Sequence, residues 1–119
     1  MSSNTLYDLA TPIGMNCRLC LSIADGFGTY SDDNGVEVAI MTRNDAGVMD
    51  FVYSMTGGDV YGWFPRNQIL PFVEWFNANC NTRGFFVEVD GSNRNILHAF
   101  LKNPDRGPIQ PRYTSVPIL

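Results

Sequence analysis

The fold is decided by residues 36–55, which read VEVAIMTRNDAGVMDFVYSM. Apolar side chains recur at every second position over residues 36–41 and again over residues 48–55, and a turn at residues 43–47 separates the two runs. Because alternate residues of a strand point to opposite faces, this period is typical of half-buried strands. The stretch therefore predicts an antiparallel hairpin of two strands.

Strand signals continue on both sides of this hairpin. Residues 59–64 predict a third strand, and residues 17–24 fit a strand slightly better than a helix. Residues 1–16 have no sustained period and are interrupted by Pro12 and Gly14. We therefore expect an irregular arm at the start of the chain.

The second half of the chain predicts two helices. Pro71 suits the start of a helix that runs to about residue 79, because the missing amide of proline is not needed there. Residues 85–90 alternate as another strand. A second helix near residue 100 is favoured over a hairpin strand at residues 95–101, since it places on one face the apolar residues Ile96, Leu97, Phe100 and Leu101. Together these elements predict an α+β fold, an antiparallel β-meander of about four or five strands with two short helices.

The length of 119 residues fits one domain. We expect this α+β domain over residues 1–103 and an extended C-terminal arm over residues 104–119. The arm contains four of the seven prolines and ends in Val-Pro-Ile-Leu. Residues 94–119 carry a net charge of +3, whereas residues 1–93 carry −7. A basic segment on an acidic body favours docking on an acidic partner or on a neighbouring copy.

Composition excludes several classes of partner. No run of residues approaches the ~18 apolar positions of a membrane span, and the N-terminus lacks the basic segment of a secretion signal. The aromatic-rich stretch of residues 61–86 contains only Arg66 and Arg83 as bases, which argues against direct nucleic-acid binding. We expect a protein of the cytoplasm of the producing or host cell, or of a virion if it is viral.

Three cysteines and one histidine are the soft metal ligands of the chain. Cys17 and Cys20 have the spacing of a metal or redox pair, and Cys80 and His98 would complete a zinc set. On a strand, however, Cys17 and Cys20 point to opposite faces. Buried reduced thiols without a cofactor are the preferred interpretation, and a small Cys/His metal-binding protein or enzyme is the alternative.

Catalytic motifs are missing from the sequence. His98 is the only imidazole, and no GxSxG or comparable nucleophile setting accompanies it. We therefore predict that the protein is not an enzyme. A group of oxygen-bearing side chains near residue 30 does not have the spacing of an EF-hand and is interpreted as a solvated turn: Asp25, Asp32, Asp33, Asn34 and Glu37.

Two short segments resemble motifs of the SH3 family. Residues 62–67, which read GWFPRN, are similar to the GWFPSN segment of that family, and Leu6-Tyr7-Asp8 resembles part of its ALYDY motif. The resemblance implies a groove for proline-rich peptides lined by Tyr7, Trp63 and Pro65. An SH3-like peptide-binding module is therefore a further alternative.

We predict a non-catalytic protein-interaction or assembly protein, either a virion subunit or a small inhibitor of a host protein. Its partner would be another protein or a second copy of itself in a homo-oligomer. The low fraction of charged residues, 17%, leaves a surface suited to association. The expected partner-binding residues form an aromatic patch and a basic, apolar arm: Tyr61, Trp63, Arg66, Arg106, Arg112, Tyr113, Ile118 and Leu119.

Overall fold

The computed structural model of the chain describes residues 2–81 and 96–102. The predicted strand at residues 85–90 and the predicted arm at residues 104–119 lie outside these ranges. The strands are β1 (Ser2–Leu9), β2 (Arg18–Gly26), β3 (Gly35–Arg43), β4 (Met49–Phe51) and β5 (Tyr61–Pro65). The helices are α1 (Tyr53–Thr56), α2 (Ile69–Asn79) and α3 (Ile96–Lys102), and a 3-10 turn, Arg66–Gln68, joins β5 to α2.

All strand pairs of the sheet are antiparallel. The order is β1-β2-β3-β4, and β5 also pairs with β3. The α+β class and the antiparallel sheet are thus confirmed, as is the strand interpretation of residues 17–24. β3 is the central strand, because it pairs with β2 on one edge and with both β4 and β5 on the other.

The prediction of an irregular arm at residues 1–16 is wrong for the first half of that segment. Residues 2–9 form β1, which pairs with β2 at every position from Ser2↔Gly26 to Leu9↔Leu19. Most β1 side chains are exposed, and Leu9 is its one buried residue. Burial therefore does not impose an alternating pattern on this edge strand, which explains why the sequence lacked one.

The strand predicted over residues 48–55 is also shorter than expected. β4 covers three residues and pairs with residues 41–43 of β3, whereas β5 pairs with residues 35–38. Both segments run in the same direction along one edge of β3. Residues 52–60 form a detour between them that includes α1, and this detour replaces the strand continuation that the period of two predicted.

Ile40 of β3 faces the gap that this detour leaves in the sheet. Its carbonyl oxygen accepts a hydrogen bond from the Val52 amide at 2.9 Å. Its amide donates to Oγ1 of Thr56 at 3.0 Å, and Thr56 is buried. A side-chain hydroxyl thus supplies the acceptor that a neighbouring strand would otherwise provide, so that no buried backbone group of Ile40 is left unsatisfied.

The helices α2 and α3 cover one face of the sheet. Phe72 of α2 meets Phe100 of α3 edge-on with ring centres 5.3 Å apart, and it meets Phe64 of β5 at 6.1 Å. The buried strand residues beneath them are Leu19, Leu21, Ile23, Val36, Val38 and Ile40. The core therefore lies between one sheet face and two helices, while the other sheet face, which we call the outer face, carries no helix in the described part of the chain.

Both predicted helices are present, with one boundary corrected. α2 begins at Ile69, two residues before Pro71, and ends at Asn79 as predicted. Amides of the first helical turn have no acceptor within the helix, so proline is accepted at its third position as well as its first. In the described residues, no helix combines the length and the apolar character needed to cross a bilayer.

Replacing Thr56 with Val should test the hydrogen bond that closes the sheet gap. Valine keeps the shape of threonine but leaves the Ile40 amide buried without an acceptor, which costs roughly 1–3 kcal/mol of unfolding free energy. Urea denaturation measures the loss, and hydrogen exchange of the Ile40 amide should accelerate in Thr56→Val but not in Thr56→Ser, which keeps the hydroxyl. Unchanged protection of that amide in the valine variant would contradict the assignment.

Candidate functional site

Trp63 lies at a bulge in β5. Val36 of β3 faces Phe64 and Val38 faces Tyr61, so the single residue between them, Glu37, faces two residues of β5. An extra residue on one strand is a β-bulge, which redirects the side chains at that point. The result is a tryptophan in β5 that is 57% exposed.

The backbone of Trp63 is strained at this bulge. Its φ angle is +52°, the one positive value among the described residues other than glycine. The left-handed region costs an L-residue about 1–2 kcal/mol. Strain of this kind persists only where surrounding contacts enforce it, and it occurs preferentially at functional sites.

Two glycines permit the backbone at the bulge to pack closely. A Cβ added to Gly35 would lie 2.7 Å from the carbonyl carbon of Trp63, and a Cβ added to Gly62 would lie 2.9 Å from Cβ of Tyr30. Any larger residue at Gly35 would collide with backbone, which cannot move aside as a side chain can. Glycine is therefore required at Gly35 for β5 to approach β3.

Tyr30 is the partner of Trp63 in the loop between β2 and β3. The Trp63 amide donates to the Tyr30 carbonyl at 2.9 Å, and the two rings are tilted with centres 5.4 Å apart. Tyr30 is 55% exposed, and Phe27, three residues earlier in the same loop, is 88% exposed. We call the pair Tyr30 and Trp63, together with Phe27 of the same loop, the aromatic surface.

Arg66 fastens the loop that carries Tyr30. Its guanidinium donates to both carboxylate oxygens of Asp25 at 2.6 and 2.8 Å, and to the backbone carbonyls of Asp32 and Asp33 at 2.6 and 3.1 Å. The Arg66 amide also donates to the Asn34 carbonyl at 3.0 Å. The hydrogen bonds from Arg66 lower the pKa of Asp25 below its ordinary value. These contacts give Arg66 a structural role inside the chain, and its predicted contact with a partner stays a prediction.

The loop is also ordered by its own polar side chains. The Gly26 amide donates to Oγ of Ser31 at 3.0 Å, and the Thr29 hydroxyl donates to the Gly26 carbonyl at 2.6 Å. Oδ1 of Asp32 accepts from the amides of Asn34 and Gly35 at 2.9 and 2.8 Å. Three carboxylates of this acidic group therefore accept hydrogen bonds from the protein itself: Asp25, Asp32 and Glu37, the last from the Tyr30 amide at 3.1 Å.

Tyr61 does not belong to the aromatic surface. It is half-buried, meets Phe64 edge-on at 5.9 Å, and has its hydroxyl 3.1 Å from Nδ1 of His98. Burial raises the pKa of its phenol.

Of the predicted partner-binding residues that the structure describes, Trp63 alone is strongly exposed and free of an ion pair. The other predicted residues lie outside the described ranges: Arg106, Arg112, Tyr113, Ile118 and Leu119.

The cysteines and the histidine are not gathered at one place. Cys20 pairs with Met41 across the outer face, whereas Cys80 follows α2 in the core on the opposite side of the sheet. Both are buried, and burial raises the pKa of each thiol. All three cysteines are free. Within residues 2–81 and 96–102, no cluster of three or more His, Cys, Asp or Glu side chains is suited to a metal ion.

The residues implied by the SH3 resemblance are also separated. Tyr7 lies on β1, and Trp63 and Pro65 lie on β5, with β2 and β3 between these strands. At about 4.8 Å per strand, the two strands are roughly 14 Å apart. The sheet thus does not place Tyr7 beside Trp63 in one groove.

Tyr30 and Phe27 were missed in the sequence. The available signal was two aromatic residues in a polar, glycine-containing segment, GFGTYSDDNG, where no strand or helix period would bury them. Large apolar side chains in such a loop indicate contact with something outside the local segment.

Comparison with protein families, with curated proteins and with solved structures finds no match for this chain.

The pair of Asp25 and Arg66 should make stability depend on pH. Because the folded-state pKa of Asp25 is lowered, the stabilising effect is complete above the unfolded pKa of about 3.9 and is lost as pH falls through the lower folded value. Urea midpoints of the wild type and of Asp25→Asn should therefore converge as pH falls below about 4.

Arg66→Lys is the matched variant for this titration. Lysine keeps the positive charge but lacks the planar fork that binds a carboxylate through two nitrogens. We expect it to lie between the wild type and Asp25→Asn at neutral pH. A difference between wild type and Asp25→Asn that stays constant over the whole acid range would count against the pair.

Proposed function

We propose that this protein is a non-catalytic protein-binding domain that uses the aromatic surface as its anchor. The observation that carries the proposal is the exposed, strained position of Trp63. A tryptophan that only stabilised the fold would gain more from burial, whereas here the backbone accepts a cost of about 1–2 kcal/mol to present the ring to solvent. Tryptophan and tyrosine are also the side chains most enriched at the energetic centres of interfaces.

Preorganisation supports the same conclusion. Arg66 joins the loop to β5 through side-chain and backbone hydrogen bonds, so Tyr30 and Trp63 are held together before any partner arrives. A surface that is already ordered avoids the entropy cost of arranging it during binding. The loop is therefore suited to recognition by a rigid contact.

The charges around the aromatic surface indicate the chemistry of the partner. Four acidic residues lie close in sequence to Phe27 and Tyr30: Asp25, Asp32, Asp33 and Glu37. Arg66 is the one basic residue of this region. A partner with arginine on its surface could pair with these carboxylates and stack a guanidinium on Trp63. The basic arm expected at residues 104–119 would add a second contact, either to the partner or to a neighbouring copy in an assembly.

The role as a virion subunit or as a small inhibitor of a host protein remains part of this proposal. Both roles need a binding surface and no catalytic group. The alternatives of a metal-binding protein and of an SH3-like module receive no specific support from the geometry, because Cys20 and Cys80 lie on opposite sides of the sheet and Tyr7 is three strands away from Trp63.

The test is site-specific photo-crosslinking of the full chain in extract of the cells that produce it. A photoreactive phenylalanine in place of Phe27 should form a discrete adduct with one protein, whereas the same group in place of Val48 should not. Val48 is the matched control because it is 56% exposed but lies in the turn between β3 and β4, at the opposite end of β3 from the loop.

Affinity measured with the purified adduct partner then tests the anchor. Trp63→Ala should weaken binding by roughly 30-fold, since truncation of a tryptophan at an interface centre costs about 2 kcal/mol or more. Val48→Ala should change it by less than about 3-fold. Equal adducts from both positions, or binding that is indifferent to Trp63→Ala, would overturn the proposal.

A further inference from the structure

β1 presents an open backbone edge. It pairs with β2 along its whole length of eight residues, and no other strand of residues 2–81 and 96–102 pairs with its second side. An edge strand exposes a row of amides and carbonyls that can pair with another chain. The edge ends after Leu9, where the amides of Ala10 and Ile13 donate to side chains of α2 and of the residues after it, Asn77 and Asn81, at 2.7 and 2.8 Å.

This edge lacks the features that usually protect a strand from pairing. Its sequence, SSNTLYDL, contains no proline, lysine or arginine, and its register with β2 has no bulge. Asp8 is its single charged residue. The opposite edge of the sheet is different, because β4 and β5 are short and are separated by α1. Among the described strands, β1 is therefore the long and regular edge, and no described strand covers it.

We propose that β1 pairs antiparallel with β1 of a second copy of this chain, so that two sheets join into one across a twofold axis. In this arrangement Leu6 faces Leu6 of the other copy, Asn4 faces Asp8, and Thr5 faces Tyr7. Side chains that face each other then stay on the same side of the sheet, as pairing requires. Each pair is complementary: apolar against apolar, amide against carboxylate, and hydroxyl-bearing against aromatic.

Charge is compatible with this register for a second copy. Asp8 would face the amide of Asn4 rather than another carboxylate, and this contact occurs twice because of the symmetry. Like charges placed directly opposite each other destabilise a strand pair. The sequence of β1 is thus compatible with itself in the antiparallel direction, which a strand with a charge near its centre would not be.

The outer face adds apolar contact to the backbone pairing. Leu6 is 42% exposed and lines an apolar trough of about 480 Å³ on this face, together with Met41, Met49 and Phe51. Because Leu6 is at the edge, the twofold axis brings the two troughs side by side. An interface of one strand and one leucine per copy is small, so we expect a concentration-dependent equilibrium and not a permanent dimer.

This inference does not rest on the aromatic surface. β1 and β5 are separated by β2 and β3, so a substitution in one surface leaves the other intact. Dimerisation can therefore fail while partner binding holds, and the reverse is equally possible.

Single cysteines placed along β1 test the proposed register. The experiment uses the full chain with Cys17→Ser, because the two remaining native thiols are buried. Leu6→Cys puts two thiols opposite each other at about 4.5–5.5 Å between Cα atoms, a separation that a disulfide spans. Mild oxidation should convert most of this variant to a covalent dimer. Asn4→Cys is the matched control, since its two copies would lie roughly 13 Å apart and should stay monomeric.

Sedimentation velocity of the unmodified chain provides the second measurement. The mean mass should rise toward twice the monomer with concentration, and Leu6→Lys should remove that rise while leaving the thermal unfolding curve cooperative, because Leu6 is partly exposed in the monomer. A monomer at every concentration would overturn the proposal, and protected β1 amides in that monomer would show that another part of the same chain covers the edge. Equal cross-linking of the two cysteine variants, or a dimer that persists in Leu6→Lys, would overturn it as well.

Discussion

The structure depends on how the backbone of Ile40 is satisfied at the centre of β3. One edge of this strand is shared by two short segments, and Ile40 lies where neither of them reaches. The Val52 amide and the Thr56 hydroxyl fill its two hydrogen-bonding positions. Because a buried amide without a partner is costly, this one hydroxyl allows the chain to leave the sheet after β4, form α1, and return as β5 along the same edge.

The return of the chain as β5 determines where the candidate site lies. β5 pairs with residues 35–38 of β3, next to the loop that joins β2 to β3. Between the paired positions Val36↔Phe64 and Val38↔Tyr61, β5 has two residues where β3 has one. That extra residue produces the bulge at Trp63. Gly35 provides the space, and Arg66, directly after the strand, draws the loop toward it through Asp25. The exposed tryptophan is therefore a consequence of strand register combined with a fixed loop, and both features join residues more than 20 positions apart in the chain.

The two surfaces that we single out differ in physical character. The aromatic surface is a small group of side chains with acidic neighbours, two of which, Tyr30 and Trp63, contact each other, and it is suited to a partner that brings apolar and cationic groups. The β1 edge offers mainly backbone hydrogen bonds, which carry little sequence information by themselves, so its selectivity must come from the side chains that face each other. The helices α2 and α3 cover neither surface, because they pack on the face of the sheet opposite the outer face.

The sequence by itself determined the α+β class, the strand β3, the end of α2 and the apolar face of α3, because in each case burial imposes a period on consecutive residues. It pointed to Trp63 but not to Tyr30, and it did not reveal that Arg66 pairs with Asp25. Only the tertiary structure decided that residues 2–9 form a strand, that the period of two at residues 48–55 breaks after Phe51, and that Trp63 points into solvent. The physical reason is that a period records which side chains are buried, whereas edge strands, bulges and detours depend on which distant backbone groups are available as hydrogen-bond partners.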